Sequence, residues 1–357
     1  MKEPMDALRA GDVVTSFRLD RPLGVGALGD EGRDLAVAVC TYRRAATLTR
    51  FLDSMAAQEV SPRQLVIVDA SPDDETERAV RGHPAIADHV SSLLYSRVRG
   101  ELKGLTRQRN FALRSIETAW VAFFDDDIVL LPGCFRAMLK AVQGASVDIV
   151  GVGCLIENDR EKPKLLWRTR RALGVVSTLR PGRYCRSGIS IPWAFLTADT
   201  GVFEGDWLQG GATMWRTAGA LETGFNEGFS GYSHGEDLEF SLRVRSLGRL
   251  VTAAEARVLH LQVPGGRPSA REMGYMTARN AYDIHRRLLP GRRTRDAAWF
   301  VYAFGVDALV RALKLAWPRD FRTRWGFVSG RLAFLRDLVL SRGQLPDGAN
   351  RSQVVRS

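Results

Sequence analysis

The chain has 357 residues, 45% hydrophobic and 25% charged, which is enough apolar content for one sizeable core plus an appendage and is not the profile of a disordered chain. Its net charge of +11 is confined to 263–357, where eighteen Lys and Arg face seven Asp and Glu; the rest of the chain holds thirty-three of each. No uncharged apolar run approaches the roughly eighteen residues of a membrane span, and the first residues lack a signal-peptide stretch. Cys40, Cys134, Cys154 and Cys185 have no metal-ligand spacing, so reduced thiols in a cytoplasmic setting are expected.

In chain order, 1–34 reads as a leader with Gly-rich turns. Gly24-Val25-Gly26-Ala27-Leu28-Gly29 matches a dinucleotide fingerprint, but no strand precedes it and no helix follows, so it reads as a loop. From 35 to 262 strand-like and helix-like segments alternate, which predicts an α/β domain with a largely parallel sheet. Strands are expected at 35–40, 65–68, 120–124 and 149–154, with an amphipathic helix over 47–57. A boundary belongs near Pro264, beyond which the pattern turns helical, Arg-rich and aromatic. Three predicted strands end in polar residues: Thr41-Tyr42-Arg43, Asp69, and Asp125-Asp126-Asp127. Ligands of open α/β sheets gather beyond such ends.

Val121-Ala122-Phe123-Phe124-Asp125-Asp126-Asp127 is the strongest local signal, because an apolar strand that ends in three carboxylates repels itself unless a cation is near. On an extended backbone Asp125 and Asp127 point one way and Asp126 the other, and two oxygens on one side suit Mg²⁺ or Mn²⁺. A solvated Asp turn is the plain alternative. Downstream, Gly235-Glu236-Asp237-Leu238-Glu239-Phe240 opens a helix that ends near Leu247. Glu236 and Asp237 fall in its first turn, where the dipole favours ionised carboxylates, and an ionised carboxylate facing a cleft can take a proton from a hydroxyl. Taken alone, the pair is better explained by ordinary acidic first-turn placement. His260 closes the strand-like run Ala256-Arg257-Val258-Leu259, and gains interest only in company with the acids.

Taken in order, these segments resemble the family 2 glycosyltransferases. The likeness runs through Val37-Ala38-Val39-Cys40-Thr41-Tyr42-Arg43-Arg44, Val66-Ile67-Val68-Asp69-Ala70-Ser71 and Arg107-Gln108-Arg109-Asn110-Phe111-Ala112. It continues past the three aspartates to Gly210-Gly211-Ala212-Thr213-Met214-Trp215-Arg216, Gly224-Phe225-Asn226-Glu227, the Glu236-Asp237 pair and His260. The resemblance implies the GT-A fold over 35–262, followed by a helical extension. It also implies an inverting transfer from a nucleotide-diphosphate sugar to a hydroxyl of a glycan or lipid-linked acceptor. On the same grounds Thr41, Tyr42, Arg43, Asp69, Arg109, Asp125 and Asp126 would hold the nucleotide. Asp127 and His260 would hold Mg²⁺ or Mn²⁺, Asp237 would be the base, and Glu236 would support it or the acceptor. Two departures stand out: Gly-Phe-Asn-Glu replaces Gly-Phe-Asp-Glu, and Asp69-Ala70-Ser71-Pro72-Asp73 leaves one carboxylate at the base-binding position.

A nucleotidyltransferase would normally follow its first strand with a Gly-rich basic loop, whereas here the turn is Thr41-Tyr42-Arg43-Arg44. A nucleic-acid-binding protein would need a recognisable module, which the basic tail lacks, so no nucleic acid is expected. Within the tail, 297–317 reads as one amphipathic helix, with Asp307, Arg311 and Lys314 on its polar face and Trp299, Tyr302, Val306, Leu309, Leu313 and Trp317 opposite. Peripheral binding to a membrane through 297–340 is the expectation. The alternative is a cap packed on the domain, with its Arg-rich face in water.

Overall fold

The computed structural model describes residues 11–20, 32, 34–84, 86–143, 148–229, 233–263, 268–288, 293–313 and 321–340. In chain order its strands and helices are β1 (Val13–Asp20), β2 (Leu35–Thr41), α1 (Ala45–Ala56), β3 (Gln64–Asp69), α2 (Glu75–Arg81), α3 (Ile86–His89), β4 (Ser92–Val98), α4 (Leu105–Arg114), β5 (Trp120–Asp125), β6 (Ile128–Leu130), α5 (Cys134–Val142) and β7 (Ile149–Ile156). There follow α6 (Leu165–Ala172), β8 (Val202–Gly205), β9 (Ala212–Arg216), α7 (Thr217–Thr223), α8 (Glu236–Val244), β10 (Arg249–His260), α9 (Ala270–Leu288), α10 (Arg293–Leu313) and α11 (Phe321–Leu340).

The described strands form one sheet in the order β1-β4-β3-β2-β5-β9-β7-β10-β6, with β8 paired to β10. Its centre is explained by the sequence of β2, in which every residue but Cys40 is buried. Such a strand needs cover on both faces, and a parallel sheet flanked by helices supplies it. Leu35, Val37 and Val39 pack with Leu48 and Phe51 of α1 and with Phe135 of α5. Ala36 and Ala38 face the other way, toward Phe111 of α4 and Phe240 of α8. The parallel character holds for β4, β3, β2 and β5, and again between β7 and β10. Between these groups β9 runs antiparallel to both neighbours, so the whole sheet is mixed.

Part of the segment read as a leader belongs to this sheet: β1 pairs antiparallel with β4 along its length. Its alternating burial explains this, since Phe17 stacks on Tyr95 at 5.1 Å between ring centroids while its neighbours face water. The glycine-rich stretch Gly24–Gly29 lies outside the described residues.

Register places the predicted polar ends level. Thr41 lies opposite Asp69 across β2 and β3, and Cys40 opposite Asp125 across β2 and β5. At the far end of the sheet β10 turns from its parallel partner β7 to pair antiparallel with β6, and His260 lands opposite Ile128. The carboxyl ends of β2, β3, β5 and β10 thus share one edge, which carries the site.

Beyond β10, α9 and α11 cross at backbone contact. A Cβ on Gly330 would stand 2.0 Å from the Arg271 carbonyl oxygen, so only glycine permits the approach. Helix α10 packs on a small core made by the 173–196 segment, in which Val175, Val176, Cys185, Ile191 and Phe195 surround Ala303.

Candidate active site

The three aspartates at the end of β5 do not alternate as an extended strand would. The strand stops at Asp125 and the chain turns, so period-two alternation lapses after that residue. Asp125 turns toward α4, and its Oδ1 accepts a hydrogen bond from Arg109 Nη2 at 3.1 Å while 37% of its side chain stays exposed. Asp126 is buried, with one oxygen accepting from the Thr41 hydroxyl at 2.7 Å and the other from Arg44 Nη1 at 3.0 Å. Asp127 shares that arginine nitrogen at 3.3 Å and meets His260 Nε2 at 3.3 Å on its other oxygen. The antiparallel pairing of β6 with β10 makes this last contact, reinforced by the Leu261 N–H donating to the Asp127 carbonyl at 2.9 Å.

Electrostatics separates the two neighbours. Burial lifts the Asp126 carboxyl to about 6, against the pull of Thr41 and Arg44. Burial acts on Asp127 in the same sense, but there the His260 hydrogen bond and the charges of His260 and Arg44 prevail and hold its pKa below the usual carboxylate range. The Asp127 hydrogen bond in turn raises His260. A metal that displaced the proton between them would find one hard oxygen and one nitrogen 3.3 Å apart. Two protein ligands suffice for a divalent ion that takes its remaining ligands from phosphate and water. Among the described residues no group of three or more His, Cys, Asp or Glu side chains could hold a metal unaided.

A second cluster adjoins the first. Arg109, buried on α4, donates to Glu236 Oε1 at 2.6 Å, to Asp125 at 3.1 Å and to the Gly210 carbonyl at 3.1 Å. Its burial works against the charge, but the Glu236 and Asp125 carboxylates hold the guanidinium firmly protonated. Glu236 is itself buried, and burial together with the neighbouring Asp237 charge pushes it up to about 8. Asp237 lies one residue further into α8 and is only half-buried. Its Oδ2 accepts from the Gly210 N–H at 3.1 Å and its Oδ1 from the Leu238 N–H at 2.8 Å. Two backbone donors thus fix the direction of its carboxyl at the amino end of α8.

The paired glycines are required here by space. A Cβ on Gly210 would lie 2.8 Å from Asp237 Cβ, and one on Gly211 2.8 Å from Asp125 Oδ2. The Gly210-Gly211 turn is thus the strut that sets Asp237 across from Asp125. Arg44 and Gln108 were not singled out in the sequence as site residues. Arg44 binds two aspartates at once, and Gln108 Nε2 ties the Thr41 and Val68 carbonyls, joining the ends of β2 and β3. An arginine after a strand end and facing three acids was the available signal for the first. Nothing local marks the second.

Several of the expected nucleotide residues already have partners within the protein. Thr41 spends its hydroxyl on Asp126. Asp69 is fully buried, accepting from the Tyr95 hydroxyl at 2.7 Å and from the Ser71 N–H at 2.8 Å. Arg43 adopts a positive φ of 54° and donates its backbone N–H to the Ser71 hydroxyl, which shapes the turn. Tyr42 is exposed, with Lys103 Nζ 4.6 Å from its ring centroid and the Arg43 guanidinium 5.5 Å away on the same ring. Arg107 turns outward to Glu227.

Residues 36–191 match the family model described as glycosyl transferase family 2. The likeness to a family 2 glycosyltransferase domain covers 156 of the 357 residues. The matched stretch includes the aspartate edge and ends before Asp237 and His260. A curated relative, the GalNAc(5)-diNAcBac-PP-undecaprenol beta-1,3-glucosyltransferase of Campylobacter jejuni, is 24% identical over 125 residues, which is 35% of this chain and 39% of that protein. Among solved structures, a mannosyltransferase of Pyrobaculum calidifontis, in complex with GDP-Man and Mn²⁺, superposes with a TM-score of 0.53 at 15% identity, covering 85% of this chain and 87% of that one. At that identity the likeness is one of fold, and the fold is GT-A.

Proposed function

We propose that the protein is an inverting glycosyltransferase that moves a sugar from a nucleotide-diphosphate donor to an acceptor hydroxyl in a single displacement. The observation that carries the reading is the placement of Asp237, held by two backbone N–H groups at the start of α8 and strutted by Gly210 against the aspartate edge. A carboxylate oriented by backbone donors toward the cleft can accept the proton of the incoming hydroxyl as the new bond forms. The leaving diphosphate gathers charge, which Arg44 and a metal on Asp127 and His260 would meet. Asp127 and His260 would hold Mg²⁺ or Mn²⁺, which when bound supplies Lewis-acid stabilisation to the leaving group. Arg44 keeps Asp126 and Asp127 in place and adds positive charge there. Tyr42 offers the donor's base an exposed face to stack on, and Asp125 is open to the ribose or phosphate side. Glu236, buried against Arg109, orients the turn rather than the acceptor.

The Campylobacter relative acts on an undecaprenol-linked glycan by its name, which supports a glycan or lipid-linked acceptor here. Mn²⁺ in the Pyrobaculum complex supports the choice of metal. An acceptor of that kind places the work at the cytoplasmic face of a membrane, with the protein held peripherally through 297–340. Among the described residues no helix is long and apolar enough to cross a membrane.

The test is a panel of nucleotide sugars incubated with lipid-linked and soluble glycan acceptors, with and without Mn²⁺. Acceptor-dependent release of nucleoside diphosphate, with inversion at the anomeric carbon by NMR, is the expected result. Release of pyrophosphate, or a product of retained configuration, would overturn it.

A further inference from the structure

Helix α10 is built inside out. The residues it turns inward include an acid: Asp307 is 4% exposed, between the guanidinium groups of Arg170 on α6 and Arg331 on α11. Phe300, Ala303 and Phe304 share that buried face, at the i, i+3, i+4 spacing of one helical stripe. The opposite face, in contact with water, is apolar. Val301 is 68% and Leu309 61% exposed, and Ala298 and Gly305 lie on the same side. The division expected from the sequence therefore fails at Asp307, which is sealed in the protein. It fails because two arginines from distant segments pair with it, something the helix's own periodicity cannot reveal. Val306 also turns inward, onto the small core around Ala303. The side chains of Arg311 and Leu313, together with Lys314 and Trp317, lie outside the described residues.

Helix α11 repeats the pattern. Phe321, Trp325, Leu332 and Val339 are each about half or more exposed, and intervals of four and seven residues put them on one side, with Arg322 and Arg336 exposed beside them. Apolar faces of this extent are costly in water and mark a surface that is covered in use.

We propose that the outward faces of α10 and α11 dock on an anionic phospholipid surface, lying in its headgroup region. This deepens the peripheral association proposed above by naming the face and the lipid charge. Charge decides the occupant. The whole surplus of +11 lies in 263–357, so a second copy of the chain would bring like charge to the same face, whereas an anionic bilayer brings the opposite. Tryptophan and arginine beside aliphatic side chains are the composition that an interfacial helix uses.

The experiment is co-sedimentation of the full chain with vesicles of phosphatidylcholine alone or mixed with phosphatidylglycerol, together with sedimentation velocity without lipid. No sugar donor is present, so failure here leaves the transfer reading untouched, and failure of transfer leaves this result standing. The expected outcome is a monomer that binds the phosphatidylglycerol vesicles and is released by salt. The double variant Val301→Ser, Leu309→Ser should keep its melting temperature and bind at least about ten-fold more weakly, given the apolar area it withdraws. Arg322→Gln should weaken binding by roughly five-fold. No binding by the wild type, equal binding to both vesicle types, or binding indifferent to the double variant would overturn the proposal. So would a wild-type dimer that Val301→Ser, Leu309→Ser converts to monomer.

Discussion

Asp237 and Asp307 are both acids on helices, the first half-buried and the second sealed, and they are held in opposite ways. Asp307 has each oxygen taken by a buried or nearly buried arginine, with nothing left for a ligand. Asp237 is held by backbone N–H groups, which fix its direction. Acids and arginines occur in both places. On the proposed reading, what separates a working carboxylate from a structural one is whether partners and burial together close off both oxygens or leave one open to a reactant. By that criterion Asp126 belongs with Asp307, Asp125 belongs with Asp237, and Glu236 stands between them.

The comparison breaks first, and most visibly, at the two acids themselves. Asp237→Asn should lower transfer by about 10²–10⁴-fold with nucleotide binding and melting temperature unchanged, as read by turnover and calorimetry. Loss of binding in parallel would place Asp237 among the structural acids. Asp307→Ala should do the reverse. It leaves Arg170 buried without its partner and should cost about 3–5 kcal/mol in denaturant unfolding, while turnover per folded molecule holds.

Glu236 sharpens the contrast through pH. Its carboxyl is raised from 4.5 to about 8 by burial and the Asp237 charge, so between those values the folded chain binds the proton that the unfolded chain releases. The associated stability is full below about 4.5 and drains as pH rises through about 8. Glu236→Gln, a mimic of the protonated form, should flatten that slope in unfolding titrations and keep most of the transfer activity at neutral pH. A loss equal to that of Asp237→Asn would assign Glu236 to the chemistry.

The smallest expected effect concerns the turn that presents Asp237. Ser233 and Gly235 both have positive φ there, and α9 braces the turn: Asn280 Nδ2 donates to the His234 carbonyl at 2.7 Å. Asn280→Ala should lower kcat by about five-fold, the worth of one such hydrogen bond, with the donor KM unchanged. A matching rise in KM would show that α9 supports the whole cleft and not the base alone.

Much of the sheet was legible because its central strands are buried on both faces and read as unbroken apolar runs ending in polar residues. The level ends of β2, β3 and β5 followed from that pattern. The edge strand β1 and the short β6 were missed, since half-exposed or three-residue strands leave little periodic signal, and so were β4 and β9, although these are largely buried. At the site, spacing suggested which residues gather. It could not say that Asp69 would be spent on Tyr95, or Thr41 on Asp126, because those partners come from other segments of the chain. The faces of α10 were misjudged at Asp307 for the same reason. Periodicity describes what one helix could bury; its partners decide what it does bury.

The most direct test is anomalous diffraction from crystals soaked with Mn²⁺ and a nucleoside diphosphate. A single manganese peak within bonding distance of Asp127 and His260, touching the diphosphate and facing Asp237 across an open space, is the predicted result. A manganese bound elsewhere, or a diphosphate seated away from the β5 aspartates, would contradict it.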